Sequence, residues 1–282
     1  MSALYGQDLR GVVDIHAHCS PDVMPRSIDG IELAKLAQKH GMRAIVLKNH
    51  YEPTVTLAFL AGKAAPGLVV FGGIALNRAV GGINAAAVER MVRVKEGNGK
   101  VVWMPTFDAE NQVRVSGEKR PYVSVSKNGR LLPDVVEVVR LIAANDLVLA
   151  TGHSSPEENL LLIREARRQG VKRIVVTHAM LSPIRMSLSQ MQEATQLGAM
   201  IEFVGNALIG QTKSAAFRDY AEVIHKLGAG HCILSSDLGQ AGNPLHPDGL
   251  LQLFAGYREA GLSVSEIEQI AKANPARLLG LQ

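Results

Sequence analysis

The stretch VVDIHAHCSPD, residues 12–22, is an apolar run that ends in two histidines. Alternate side chains of a β-strand point to the same face, so a strand over this run places Asp14, His16 and His18 on one side. Two imidazoles at the end of a strand could ligate one metal ion, or they could be incidental polar residues. The choice depends on whether other apolar runs of the chain end in the same way.

Seven further short, β-branched apolar runs follow, separated by segments with helical patterns. Near-continuous apolar runs are typical of strands in a parallel sheet that is covered on both faces. Eight strand–helix repeats in 282 residues predict an α/β fold, a (β/α)8 TIM barrel formed by a single domain over residues 1–282. An open, doubly wound sheet is the alternative. The predicted strands cover 12–18, 44–50, 69–77, 101–108, 147–153, 173–179, 199–205 and 231–237.

The helix after the fifth predicted strand carries the clearest boundary signals. Ser155 is placed to cap it, Pro156 suits its first turn, and Glu158 completes a capping box. Gly170 is the predicted stop.

One connection is too long for a plain loop. Residues 108–133 alternate apolar with polar side chains and contain Asn128-Gly129, a hairpin-turn signal. We therefore predict a β-hairpin insertion after strand four. It could form a lid over the barrel mouth or be a surface hairpin without function.

Composition narrows the class of protein. The net charge of +4 is small, the cationic residues are scattered, and aromatic residues make up only 4%, so we expect no nucleic-acid partner. No segment approaches the length of a membrane span, and the first ten residues lack the pattern of a signal peptide. Two cysteines are too few for a disulfide framework, which makes the cytoplasm the expected location.

Polar side chains end five of the predicted strands. Since barrel enzymes place their chemistry at the C-terminal ends of the strands, we expect these side chains to converge on one opening. Imidazole nitrogens and a carboxylate suit Zn²⁺, with Mn²⁺, Fe²⁺ or Co²⁺ as alternatives. The candidate metal-site residues are His16, His18, Lys48, His50, His153, His178 and Asp237.

This arrangement resembles the amidohydrolase superfamily of metal-dependent hydrolases, which carry H-x-H on strand one, histidines on strands five and six, and an aspartate on strand eight. The ending NPARLLGL, residues 274–281, also resembles the closing helix of that superfamily. The resemblance implies a metal-activated water as nucleophile and Asp237 as the catalytic residue that takes its proton. It implies that His178 is a metal ligand or polarises the substrate. The implied metal ligands are His16, His18, His153, His178 and Asp237.

The chain departs from the superfamily pattern in one respect. Many two-metal members carry a bridging carboxylated lysine or a glutamate on strand three or four, and VVWMPTFD, residues 101–108, has neither. Lys48 lies instead on strand two, in phase with His50. We hypothesise that a carboxylated Lys48 bridges two metal ions with His50 close by. The alternative is an uncharged or ion-paired Lys48 beside a single metal ion.

The predicted function is hydrolysis of an amide, lactone or ester bond in a small molecule. Two alternatives stay open, namely a metal-dependent lyase or decarboxylase of a small carboxylic acid, and a non-catalytic scaffold that the metal stabilises. A homo-oligomer is compatible with the sequence. Two further residues are placed where they could meet substrate: His246, on a predicted loop after strand eight, and Arg185, after strand six.

Overall fold

The computed structural model describes residues 8–281. Within them the strands are β1 Val13–His18, β2 Ala44–Lys48, β3 Val69–Ala75, β4 Gly99–Trp103, β5 Ser126–Lys127, β6 Arg130–Leu131, β7 Val148–Ala150, β8 Arg173–Val176, β9 Met200–Val204 and β10 Cys232–Ser235. The α-helices are α1 Gly30–Lys39, α2 Val55–Ala64, α3 Ala85–Val92, α4 Glu110–Ser116, α5 Pro133–Ala144, α6 Pro156–Arg168, α7 Leu188–Gln196, α8 Phe217–Leu227, α9 His246–Glu259, α10 Val264–Glu268 and α11 Asn274–Leu279.

Eight of these strands form one sheet in the order β1-β2-β3-β4-β7-β8-β9-β10. Neighbouring strands pair in parallel, as Val101 does with Val148 across β4 and β7. At the two ends of the sheet, the segment after β10 pairs with β1, because the Asp237 amide donates to the His16 carbonyl at 2.8 Å. The fold is a (β/α)8 barrel, as the sequence predicted.

All eight predicted strands are confirmed, but most of them end earlier than the apolar pattern suggested. β7 ends at Ala150 and β8 at Val176, so His153 and His178 lie in the loops that follow. His50 and Asp237 likewise come two residues after the ends of their strands. These four side chains are therefore oriented by loop backbone rather than by the alternation of a strand.

Helix α6 begins as predicted. The Ser155 hydroxyl accepts from the Glu158 amide at 3.2 Å, and the Glu158 carboxylate accepts from the Ser155 amide at 2.9 Å. Pro156 occupies the first turn, where its missing N–H costs nothing. Gly170, with φ of 82°, follows the end of the helix.

The insertion after β4 contains the predicted hairpin. Strands β5 and β6 are antiparallel, and the two residues between them, Asn128 and Gly129, have φ of 52° and 71°. Two consecutive residues in the left-handed region are what a type I′ turn requires, and an Asn-Gly pair adopts it readily. The alternating pattern did not predict helix α4, which precedes the hairpin and carries Asn111 and Gln112.

The chain divides into two compact units. Among the described residues, the first unit contains 8–47, 57–71 and 203–281, and the second contains 48–56 and 72–202. The core of the first unit includes Val13, Leu33, Leu234 and Leu253, and the core of the second includes Val102, Val138, Leu149, Ile163 and Val176, all buried. That the chain is a single domain stays a prediction. No helix within residues 8–281 has the length and hydropathy needed to cross a bilayer.

Candidate metal centre

Three of the predicted ligands come together in the first unit. His16 and His18 are two residues apart on β1, and both point their Nε2 atoms at Asp237, just past β10. The Asp237 Oδ1 atom lies 3.1 Å from Nε2 of each imidazole. One ligand atom from each residue lies within 4.8 Å of the others, and all three residues are buried. Among residues 8–281, this is the single cluster of three or more potential metal-ligating side chains.

A buried carboxylate beneath the cluster joins its two strands. Oδ1 of Asp14 accepts from the His16 amide at 3.1 Å and from the Ser236 amide at 3.0 Å. Burial raises the pKa of Asp14 to about 6, although these hydrogen bonds act in the opposite direction. Asp14 therefore fixes the backbone of both segments that carry ligands.

Asp237 has a left-handed backbone conformation. Its φ is 48°, in the left-handed region that L-residues other than Asn, Asp and Gly seldom adopt. This conformation places the Asp237 Oδ1 atom 3.1 Å from Nε2 of both imidazoles.

The two imidazoles control the charge of this carboxylate. Burial alone would raise the pKa of Asp237, but the charge interaction and hydrogen bonds with His16 and His18 hold it well below its ordinary value. Asp237 is therefore ionised at neutral pH. A buried carboxylate facing two imidazole nitrogens is a donor set of the kind that divalent metal ions such as Zn²⁺ bind, so these residues could hold a metal ion.

A charged pair that the sequence did not point to covers the other side of His18. The Arg26 guanidinium lies 3.3 Å from His18 Nδ1, and its Nε donates to Asp22 Oδ2 at 2.8 Å. Only 2% of the Arg26 side chain and none of the Asp22 side chain is exposed. The pair closes the site on this side, and no periodicity in residues 19–29 could have predicted it.

The prediction that His246 lies on a loop near substrate is wrong. His246 is the first residue of helix α9. It is buried, and its Nε2 donates to the Leu238 carbonyl at 2.9 Å. Burial lowers the pKa of His246 to about 4, so its ring is neutral at physiological pH. Its hydrogen bond to the carbonyl of Leu238, the residue after Asp237, gives it a structural role. Arg185 is exposed, with φ of 50°.

The second unit holds the other predicted ligands. The rings of His153 and His178 have centroids 4.9 Å apart, and that of His50 lies 6.4 Å from His153. Lys48 is almost completely buried, with its Nζ 5.4 Å from the centroid of the Trp103 ring. The structure thus groups Lys48, His50, His153 and His178 in one unit and His16, His18 and Asp237 in the other. That all seven serve one metal centre stays a prediction.

A polar network fixes His50. The Asn77 amide donates to the His50 carbonyl at 2.8 Å and to the Thr106 hydroxyl at 2.6 Å. The same hydroxyl lies 2.9 Å from His50 Nδ1. Asn77 and Thr106 are fully buried and lie just beyond the ends of β3 and β4.

Glu202 is a functional candidate that the sequence analysis missed. Its carboxylate accepts from the His178 amide at 3.0 Å, and it is buried on β9. His178 has φ of 25°, so this hydrogen bond holds a strained residue in place. The signal was present in AMIEFVG, residues 199–205, where an acid interrupts an otherwise apolar buried strand.

Solved structures resemble this chain along nearly its whole length. An amidohydrolase from Pseudomonas aeruginosa superposes with a TM-score of 0.64 at 13% identity, covering 95% of both chains. A phosphotriesterase homology protein from Escherichia coli, solved with phosphate in its active site, has a TM-score of 0.64 at 15% identity, covering 96% of this chain and 99% of that one. A 2,6-dihydroxybenzoate decarboxylase has a TM-score of 0.57 at 13% identity, covering 96% and 100%.

At these identities the likeness establishes the fold. The structural neighbours are amidohydrolase and phosphotriesterase-like barrels, which confirms the resemblance found in the sequence. No curated protein matches the chain. Residues 11–202 match a family described as a family of unknown function, DUF6282. Because that match spans more than half of the sequence, from β1 into β9, the protein belongs to the DUF6282 family.

Proposed function

We propose that this protein is a metal-dependent hydrolase that cleaves an amide, lactone or ester bond of a small molecule. The observation that carries the proposal is the buried group of His16, His18 and Asp237, whose ligand atoms lie within 4.8 Å of one another. The group lies at the C-terminal ends of β1 and β10, the barrel face that bears catalytic residues in enzymes of this fold.

His16, His18 and Asp237 have different roles in this proposal. His16 and His18 would hold the cation, and when bound it would polarise the scissile bond and lower the pKa of water from ~15.7 to ~7. Asp237 is the member of the group that substrate can reach, since 11% of its side chain is exposed against 1% and 2% for His16 and His18. Its ionised carboxylate would accept a proton from water and deliver it to the leaving group.

His153 and His178 enter the proposal from the sequence resemblance, as further ligands or, for His178, as a group that polarises the substrate. The proposed metal is Zn²⁺, with Mn²⁺, Fe²⁺ or Co²⁺ as alternatives, because the donors are imidazole and carboxylate. The proposal keeps the cytoplasmic location, which two buried thiols without a disulfide partner, Cys19 and Cys232, support.

In this proposal the number of metal ions depends on whether the Lys48 amine is carboxylated. If its amine is carboxylated it would bridge two cations, whereas an amine that stays packed against Trp103 leaves a single cation. We propose to count bound metal in the wild type and in Lys48→Met. A fall from two ions to one supports the bridge, and a count of one in both proteins rules it out.

The decisive experiment is metal analysis of the purified protein followed by a panel of lactones, amides and esters. Zn²⁺ should titrate into the metal-free wild type with a defined stoichiometry, and His16→Ala should abolish binding. An exposed histidine offers the matched control, since His231→Ala should bind Zn²⁺ as the wild type does. Wild-type protein that binds no divalent cation would refute the proposal.

A decarboxylase is the second candidate, favoured by the structural similarity to a 2,6-dihydroxybenzoate decarboxylase. Carboxylated aromatic acids therefore belong in the substrate panel. Incorporation of ¹⁸O from labelled water into the product marks hydrolysis, whereas release of carbon dioxide marks decarboxylation.

A further inference from the structure

Helix α4, in the insertion after β4, contacts one of the predicted metal ligands directly. Oε1 of Gln112 lies 2.8 Å from Nδ1 of His153. The side-chain amide of Asn111, the preceding residue, donates to the His153 carbonyl at 3.0 Å and to the Pro183 carbonyl at 3.1 Å. Two consecutive residues of one short helix thus hold the ring and the backbone of the same histidine.

We propose that Gln112 is a positioning residue that selects the tautomer of His153. A carboxamide oxygen can only accept a hydrogen bond, so the ring nitrogen facing it must carry the proton. This places the proton of the neutral imidazole on Nδ1 and the lone pair on Nε2. A histidine that ligates a metal through Nε2 needs this tautomer.

Aromatic rings pack around the His153 imidazole, and the Gln112 carboxamide oxygen faces its Nδ1 atom. His153 is buried, with the Phe107 ring edge-on at a centroid distance of 5.7 Å and an interplanar angle of 84°. The His178 ring lies on another side at 4.9 Å. Aromatic contacts restrict the tilt of an imidazole but do not distinguish its two tautomers, whereas a hydrogen-bond acceptor does.

This role gives the insertion a function. The sequence left open whether the insertion is a lid or a surface hairpin. Helix α4 of the insertion instead holds His153, a candidate ligand, through Asn111 and Gln112. Loss of such an outer partner typically weakens metal binding by about 10–100-fold. The effect on metal affinity rests on the proposed function, but the tautomer of His153 does not.

The tautomer can be measured in the metal-free protein by long-range ¹H–¹⁵N correlation with ¹⁵N-labelled histidine. The signals of His153 are assigned from their loss in His153→Asn. The wild type should show His153 protonated at Nδ1. Gln112→Ala should move these shifts toward a mixture of tautomers, and Gln112→Glu, which keeps an acceptor oxygen, should retain the wild-type pattern. Gln192→Ala, on the exposed face of α7, is the matched control and should change nothing.

Zn²⁺ titration by calorimetry supplies the second readout. Gln112→Ala should bind Zn²⁺ about 10–100-fold more weakly than the wild type, with Gln112→Glu restored to within a few-fold. His153 protonated at Nε2 in the wild type, or a tautomer unchanged in Gln112→Ala, overturns the inference. If the tautomer responds as expected while the wild type binds no Zn²⁺, the positioning role stands and the proposed hydrolase falls.

Discussion

Oδ1 of Asp237 lies 3.1 Å from Nε2 of His18. The two residues come from opposite ends of the barrel sheet, and the carboxylate oxygen is shared with a second imidazole at the same distance. In this buried arrangement one carboxylate oxygen faces two ring nitrogens. A cation could take the place of the protons between them and bind the carboxylate and both imidazoles.

The ligand and the proposed proton acceptor should respond differently to substitution. His16→Ala removes a donor and should lose both bound metal and activity. Asp237→Asn keeps an oxygen donor but cannot accept a proton, so it should retain much of the metal and lose most turnover, by roughly 10²–10⁴-fold. Metal content per chain and kcat on a confirmed substrate test this. Full activity in Asp237→Asn would show that another residue is the base.

A glycine behind the site should be irreplaceable for steric reasons. Gly239 has φ of 120°, and a Cβ there would clash with the His18 carbonyl oxygen. Gly239→Ala should therefore displace the backbone of β1 and reduce Zn²⁺ affinity. Gly117→Ala is the control, since its φ of 71° is also left-handed but no atom lies within 4 Å of the added Cβ. It should cost ~1 kcal/mol of stability and leave metal binding unchanged. Equal metal affinity in the two variants would contradict the steric argument.

Glu202 should matter to both stability and activity. Replacing it with Met removes the acceptor of the buried His178 amide, which should lower the free energy of unfolding by ~1–3 kcal/mol. The strained backbone of His178 would relax, so turnover should also fall. Urea unfolding and kcat measure the two effects. Glu222→Met, at an exposed position on α8, is the control and should change neither stability nor turnover. Wild-type stability and turnover in Glu202→Met would contradict the expectation.

His246 should make the metal-free protein sensitive to acid. Burial lowers its pKa from 6.5 to about 4, so the unfolded chain binds a proton in this interval that the folded chain does not. The free energy of unfolding should therefore fall as the pH drops from 6.5 to 4, with His246 contributing up to about 3 kcal/mol of the loss. Above pH 6.5 this contribution is constant.

Urea unfolding at pH 7 and pH 4.5 checks this expectation. His246→Asn, whose amide can still donate to the Leu238 carbonyl, should lose less stability between the two pH values than the wild type does. His231→Asn should behave like the wild type, because the His231 side chain is exposed to water in the folded chain. Identical pH dependence in the wild type and His246→Asn would exclude the buried ring as a cause.

The strands were predictable because each is a short apolar run that parallel pairing buries on both faces. The H-x-H pair of β1 was predictable for the same reason, since His16 and His18 share a strand face. The sequence pointed to Asp237 and His178 as candidate site residues but did not predict the backbone conformation that orients their side chains. Both lie beyond their strands at positive φ, and alternation along a strand carries no information about loop backbone.

The supporting residues were harder to predict because their partners are distant in sequence. Gln112 meets His153 and Arg26 meets His18 only after folding, and each is an ordinary polar residue in its own segment. The sequence analysis places His246 on a loop, whereas Pro247 suits the first turn of helix α9, which begins at His246. The local sequence pattern predicts the candidate ligands, and only tertiary contacts identify the residues that hold them in place.

The pairing of the segment after β10 with β1 sets the order in which the site can be completed. During synthesis the first two donors emerge early, but the third follows the last strand of the sheet. A nascent chain, or a fragment that ends before β10, therefore carries two of the three residues of the proposed metal site. We expect the proposed cation to bind only after β10 has been synthesised, later than the first strands and helices.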